Sequence, residues 1–286
     1  MQLNLTHPIK LAFCDLDGTL LDEHSAMAPA TRQAIARAEA AGLHVSFATG
    51  RAFPMLADIA RAAGITAPLV TCNGAQIVDP VTGKLISGSS LDPAAIEPTL
   101  RALDARGVEY SLLGIDCCLF GRSTNPRLPY CLKSTGDGRT TGLTDVECLV
   151  LDGDYSRLAG HRIAKILLNE QTPGEAEAAC RAIIDSSVFE CYRSSPTLIE
   201  IMPIGIDKGE GVRRVAAACG VPMESVAVFG DYDNDLPMLR IAGFPVAMGN
   251  GTDAVKAAAR YICETNTENG VAKTLDRMVE ANRAFL

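Results

Sequence analysis

The chain has 286 residues, 48% hydrophobic and 21% charged, with a net charge of −8. That length buries a sizeable core in one large domain or two modest ones. The acidic balance argues against nucleic-acid or anionic-membrane partners, both of which need basic surface.

A phosphorylated small molecule stays admissible, because a divalent cation and one or two ammonium groups reverse the sign inside a cleft. Residues 1–8 lack the basic start and long apolar core of a secretory signal. No uninterrupted apolar stretch approaches membrane-spanning length. Ten cysteines are scattered without Cys-x-x-Cys spacing. Cys14 and Cys72 lie in apolar runs and read as buried thiols. A reduced, cytoplasmic compartment is the expected location.

The first third alternates strand and helix patterns. An apolar strand over 9–15 leads into Asp15-Leu16-Asp17-Gly18-Thr19-Leu20. An Ala-rich helix over 29–41 is stopped by Gly42, where a helix ending is expected. A strand over 44–48 ends in Thr49-Gly50-Arg51, a helix over 54–63 closes at Gly64, and a strand over 69–72 ends at Asn73-Gly74. Strands covered on both faces and alternating with helices predict a parallel sheet flanked by helices.

The middle reads differently. A helix over 93–103, strands near 108–113 and 117–120, and a polar loop at 134–142 are followed by a strand near 163–168. A helix over 173–184 and strands at 188–192 and 198–202 complete it. Paired strands with interspersed helices predict an α+β insert with an antiparallel sheet. The core is expected at 1–84 and 200–286 and the insert at 85–199. The last third returns to alternation: helix 209–219, strand 225–229 running into Gly230-Asp231, helix 235–242, strand 244–248, helix 253–260, strand 261–263 and helix 271–282.

Asp15 and Asp17 sit one residue apart at a strand's carboxyl edge, so their side chains share a face. Two like charges held that closely are offset by a cation or a shared proton. Asp-x-Asp-Gly is also a turn signal and overlaps the start of a calcium loop. The calcium-loop form fails, because Gly stands fourth rather than sixth and the twelfth position is Ala26 instead of Glu. In open parallel sheets ligands bind beyond the carboxyl ends of strands. There Asp15/Asp17, Thr49-Gly50 and Gly230-Asp231 would meet, with Lys208 opening a helix nearby. Carboxylates for a hard cation, a hydroxyl with backbone donors and one ammonium are what phosphoryl transfer needs.

Taken singly, these signals are weaker. Thr49-Gly50-Arg51 is an ordinary strand exit, Asn73-Gly74 reads as a turn, and Asp231 to Asp235 forms an acidic turn able to cap a helix. Arg51 is expected to pair with a carboxylate and is given no role. Basic residues of the insert (Arg122, Arg127, Lys133, Arg139, Arg157, Arg162, Lys165, Arg193) read as solvated charges by default.

In order, Asp-x-Asp-Gly-Thr-Leu at 15–20, Thr-Gly-Arg at 49–51, Lys208-Gly209 and Gly-Asp-x-x-Asn-Asp at 230–235 resemble the haloacid dehalogenase-like (HAD) superfamily. Asn73-Gly74-Ala75, Met238 and Ala247-Met248-Gly249-Asn250 extend the match, and the insert resembles the C2 cap of the Cof-type sugar-phosphatase group. The resemblance implies an α/β fold: a Rossmann-like parallel-sheet HAD core with an inserted α+β, C2-type cap that reads the substrate. It implies Asp15 as nucleophile, Asp17 as general acid and then base, and Lys208 neutralising charge on nucleophile and phosphate. Leu16, Asp17 and Gly50 would bind phosphate through backbone N–H groups, Thr49 through its hydroxyl, and Asn234 as a hydrogen-bonding neighbour. Mg²⁺ would be held by Asp15, Asp17 (through its carbonyl) and Asp231, with Asp235 orienting the coordinated waters.

ATP-driven pumps of the superfamily carry Thr at the second acid position, so Asp17 favours phosphatase or mutase chemistry. The implied function is a Mg²⁺-dependent phosphatase of small phosphorylated metabolites, sugar phosphates foremost, acting through an aspartyl-phosphate. A phosphomutase of the phosphomannomutase type and a non-catalytic phosphometabolite-binding regulator are the alternatives.

Overall fold

Strand β1 (Leu11–Cys14) is entirely buried and runs through the middle of a five-stranded sheet. The computed structural model describes residues 3–126, 128, 147–169, 174–195 and 197–285. β1 pairs in parallel with β2 (His44–Phe47) on one side and with β12 (Val226–Gly230) on the other. β13 (Phe244–Ala247) and β14 (Tyr261–Ile262) extend the sheet, again in parallel. Successive residues of β1 enter opposite apolar layers: Ala12 and Cys14 join Val45, Phe47 and Phe229, whereas Leu11 and Phe13 join Val226, Val228 and Val215. Burial on both faces explains why the strand reads as a continuous apolar run.

Helices cover both faces. α1 (Pro29–Ala40) starts with Pro in its first turn, where the missing N–H costs nothing, and Arg37 near its end pairs with Asp276 at 2.8 Å. The helix expected over 54–63 is shorter. Phe53–Met55 forms a 3-10 turn, Leu56 breaks the helical dihedrals at φ −134°, and α2 (Ala57–Ala62) begins after it. Pro54 is confined to that first turn because a proline deeper in a helix removes a hydrogen bond.

The third strand also departs from expectation. β3 (Leu69–Thr71) pairs with the parallel sheet through an isolated bridge between Ala48 and Val70. It belongs instead to a three-stranded sheet with β4 (Gln76–Val78) and β5 (Leu85–Gly88), both antiparallel. Cys72, Asn73 and Gly74 all have positive φ and reverse the chain at once.

A six-stranded sheet lies between the two parts of the core sequence. Its order is β10 (Phe189–Ser195), β11 (Leu198–Pro203), β9 (Ile163–Asn169), β6 (Tyr110–Gly114), β7 (Cys117–Phe120), β8 (Glu147–Val150). It is antiparallel except for β7 and β8, which pair in parallel; β8 was not foreseen. One face packs on α3 (Pro93–Ala105) and α4 (Glu175–Ile183). The other face carries Leu113, Leu167 and Met202 against Ala52, Cys72 and Ala75 of the core, and each such Leu contributes about 1.5–3 kcal/mol by burial. The loop expected at 134–142, the helix start at 173 and Arg127, Lys133 and Arg139 fall outside the described residues.

Cysteine spacing suggested no bridge, yet Cys180 of α4 and Cys191 of β10 are disulfide-bonded. The pairing arises because α4 packs across that strand, a contact no linear spacing reveals. The last third follows expectation, with α5 (Lys208–Ala218), α6 (Leu236–Ile241), α7 (Asp253–Ala258) and α8 (Gly270–Asn282).

Gly74 has φ +97°, and a Cβ there would lie 2.0 Å from the Asp207 carbonyl oxygen at the start of α5. Both the backbone conformation and the close approach exclude a side chain. Gly74→Ala is expected to lower unfolding stability by about 2–3 kcal/mol, read from urea midpoints. An unchanged midpoint would mean that the turn and α5 are not held in this contact.

Candidate active site

Strand register assembles the site. Cys14 pairs with Phe229 and with Phe47, so the residues just beyond these three strand ends are neighbours. Adjacent strands lie about 4.8 Å apart, which sets Asp15 between Asp231 on one side and Thr49 on the other. The Asp15 N–H donates to the Phe229 carbonyl at 3.0 Å, continuing the ladder up to the acid itself.

Lys208 binds this edge from below. It is fully buried, and its Nζ lies 2.9 Å from Asp15 Oδ1 and 2.7 Å from Asp235 Oδ1. The other Asp235 oxygen accepts from the N–H groups of Asp231 and Tyr232 at 2.8 and 3.1 Å. Asp235 therefore has both oxygens committed and acts by orienting Lys208 and the 231–232 backbone. Asp207 caps α5 by accepting from Glu210 N–H at 2.8 Å, which fixes the turn that delivers Lys208.

Asp17 differs from Asp15. Its side chain is 59% exposed and is gripped by both forks of Arg51, Nε at 2.8 Å and Nη2 at 2.5 Å. Arg51 thus has the carboxylate partner the sequence suggested. Gly18 has φ +79°, and a Cβ there would lie 2.4 Å from Asp231 Oδ2, so only glycine lets the loop pass this acid. Thr19 donates to Asp231 Oδ1 at 2.6 Å, and Asn250 donates to the Gly18 carbonyl at 2.8 Å. Thr49 is fully buried and its hydroxyl oxygen accepts from Arg51 N–H at 3.1 Å.

These groups share one cavity of about 460 Å³, lined by Asp15, Asp17, Thr49, Gly50, Asp231 and Asn234 and roofed by residues of the six-stranded sheet. Among the residues expected at the site, Leu16 has its side chain fully buried in the core, which leaves only its backbone at the loop. Lys208 and Asp235 stand behind the wall rather than in it.

The electrostatics favour a cation. Burial pushes the Asp15 carboxyl well above the ordinary carboxylate range, with the Lys208 ammonium pulling the other way and Asp235 and Asp231 adding to the rise. Burial, and then Asp235, push Asp231 up to about 6. Oxygens of Asp15, Asp231 and Asp235 all lie within 4.8 Å of one another. Buried Asp15 and half-buried Asp231, backed by Asp235, form a hard-oxygen donor set that fits a small divalent ion.

Lys165 of the insert and Asn73 of the core do more than their sequence reading implied. Lys165, read as a solvated charge, has a side chain only 3% exposed and pairs with Glu200 at 2.7 Å. Its Nζ also donates to the Gly50 carbonyl at 2.6 Å. Asn73, read as a turn residue, does occupy the turn, but its Nδ2 also donates to Glu200 Oε2 at 2.7 Å. The available signal was a lone Lys inside Ile163-Ala-Lys-Ile-Leu and a lone Glu inside Leu198-Ile-Glu-Ile, since unpaired charges are almost never fully buried.

Lys208→Met leaves Asp15 and Asp235 buried without their ammonium and is expected to cost about 3–5 kcal/mol in urea unfolding. A loss below about 1 kcal/mol would contradict the buried triad. In ion-free protein Asp231 binds its proton more tightly when folded than unfolded. Its stabilisation is complete below about pH 4 and is lost as pH rises through about 6. With EDTA present, the wild-type urea midpoint should fall over that window relative to Asp231→Asn. Parallel pH profiles would show that Asp231 titrates like an exposed acid.

Comparison with known proteins agrees with this geometry. The family model for haloacid dehalogenase-like hydrolases matches residues 12–275. A 5-amino-6-(5-phospho-D-ribitylamino)uracil phosphatase of Bacillus subtilis, YcsE, is 29% identical over 272 residues, covering 95% of this chain and 96% of the relative. The pyridoxal phosphate phosphatase YbhA of Escherichia coli is 27% identical over 265 residues, covering 91% and 94%. A solved haloacid dehalogenase-like hydrolase from Bacteroides thetaiotaomicron is 25% identical, with a TM-score of 0.76 over 94% of this chain and 99% of that one. Matched over most of its length by that family model, the chain belongs to the haloacid dehalogenase-like hydrolase family.

Proposed function

We propose that this enzyme is a Mg²⁺-dependent phosphatase that hydrolyses small phosphorylated metabolites, sugar phosphates foremost, through an aspartyl-phosphate. The observation that carries the reading is the Asp15–Lys208–Asp235 triad. A buried acid is oriented by an ammonium, which opposes the rise that burial imposes on it, while it borders a cavity. The relatives' phosphomonoester substrates support the reaction class.

In this reading Asp15 attacks phosphorus and the ester oxygen leaves, taking a proton from Asp17. Asp17 then removes a proton from water, which displaces phosphate from Asp15 and restores the carboxylate. Thr49 and the N–H of Gly50, with those of Leu16 and Asp17, cradle the phosphoryl oxygens, Asn234 borders them, and Lys208 offsets their charge. Arg51 fixes the direction of the Asp17 carboxylate. Asp15, the Asp17 carbonyl and Asp231 would hold Mg²⁺, with Asp235 orienting its waters from behind. The ion, when bound, supplies the positive charge that the anionic ester and three carboxylates otherwise lack. The six-stranded sheet serves as the cap, excluding bulk water over the cavity.

Asp15→Asn should lower phosphate release from p-nitrophenyl phosphate by roughly 10³-fold or more, and EDTA should do the same to the wild type until Mg²⁺ is restored. A variant retaining near-normal turnover would remove Asp15 from its assigned role.

A further inference from the structure

Opposite the acids, the cavity wall is built by the six-stranded sheet. Lys165 of β9 and Glu200 of β11 meet there, paired at 2.7 Å and both about 3% exposed. Glu200 spends one oxygen, Oε2, on both Lys165 and Asn73. Its Oε1 accepts no hydrogen bond among the described residues. Lys165 uses one N–H on Glu200 and one on the Gly50 carbonyl, leaving a third. Elsewhere in the cavity lining, Ser194 Oγ of the sheet and Asn234 Oδ1 of the 233–235 turn are buried without partners among the described residues. The Asn234 amide N–H is turned toward Asn73 Oδ1 at 3.3 Å, so the atom it leaves over is an acceptor. Buried polar atoms are nearly always paired, and a wall with several left over is built to be completed by something else.

Charge narrows what that is. Among the described residues lining the cavity the cations are Arg51 and Lys165, and each faces a carboxylate, Asp17 and Glu200 respectively. A hydroxyl donates to Glu200 Oε1 and accepts from the spare Lys165 N–H. A second phosphate or a carboxylate meets the same oxygen with no uncompensated cation, and burying like charges together is unfavourable.

We propose that Lys165 and Glu200 are the specificity-determining pair of this site: together they bind a hydroxyl of the departing alcohol and reject an alcohol that carries a second anionic group. The proposal rests on the phosphatase reading above and assigns what that reading leaves open. Hydrogen-bonding sites discriminate strongly against ligands that lack the matching group, because their own polar atoms are then left unpaired.

The test uses the full chain with Mg²⁺ and measures kcat/KM for sugar monophosphates, their deoxy analogues, the matching bisphosphates and p-nitrophenyl phosphate. The wild type should prefer the monophosphate to the bisphosphate by about tenfold or more. Glu200→Gln leaves Lys165 uncompensated and should raise the bisphosphate-to-monophosphate ratio by about tenfold, an effect that merely loosened packing does not produce. A ratio unchanged within about twofold overturns the proposal, since a purely structural role predicts equal loss on both substrates. Should Glu200→Gln not fold, the wild type decides the matter. Deoxy analogues turned over as well as their parents, or bisphosphates as well as monophosphates, overturn the assignment. Absence of any phosphate release from p-nitrophenyl phosphate by the wild type brings down the underlying phosphatase reading instead.

Discussion

A single buried ammonium governs this structure. Lys208 pairs with both Asp15 and Asp235, and Asp235 in turn holds the backbone that presents Asp231. A fully buried lysine is tolerable only when its charge is matched and its donors are used. Two carboxylates meet that requirement here, and both belong to the reactive edge of the sheet. The stability of the core and the orientation of Asp15, the proposed nucleophile, are therefore set by the same contacts. Removing the cation is costly to folding because it leaves two buried carboxylates unmatched.

The core's two apolar layers supply the rigidity that this arrangement needs. β1 is gripped on both edges and both faces, so the strand end bearing Asp15 has little freedom. Around it, freedom increases by degrees. Asp17 is more than half exposed and, among the described residues, its carboxylate is held by the Arg51 guanidinium, which suits the proton-exchanging role proposed for it. A stiff nucleophile beside a more mobile acid is the division of labour that a two-step displacement asks for.

Much of the parallel core was legible because its strands are short apolar runs closed by Gly, Asp or Thr, and its helices are punctuated by Pro at one end and Gly at the other. The site followed from the rule that ligands lie beyond strand carboxyl ends. What stayed hidden depended on tertiary pairing. β4 and β5 are three and four residues long, and their identity comes from the reversal at Cys72–Gly74 rather than from any periodicity. β8 owes its existence to pairing with β7. Lys165 and Glu200 are separated by 35 residues and are recognisable as partners only once β9 and β11 lie side by side. The Cys180–Cys191 bridge is of the same kind, a meeting of helix and strand that spacing does not encode.

The topology also bears on how the molecule comes into being. The central strand β1 precedes its neighbour β12 and the lysine beneath it by some two hundred residues. The Thr19 to Asp231 bond alone spans 212 positions. Bringing such distant segments together carries a large loop-closure entropy and slows assembly. The intervening sheet, whose strands are mostly joined to near neighbours, shortens that search by drawing the two ends of the interrupted core toward each other. A segment that carries Asp15 but not Lys208 and Asp231 thus has its first acid without the partners that complete the cleft.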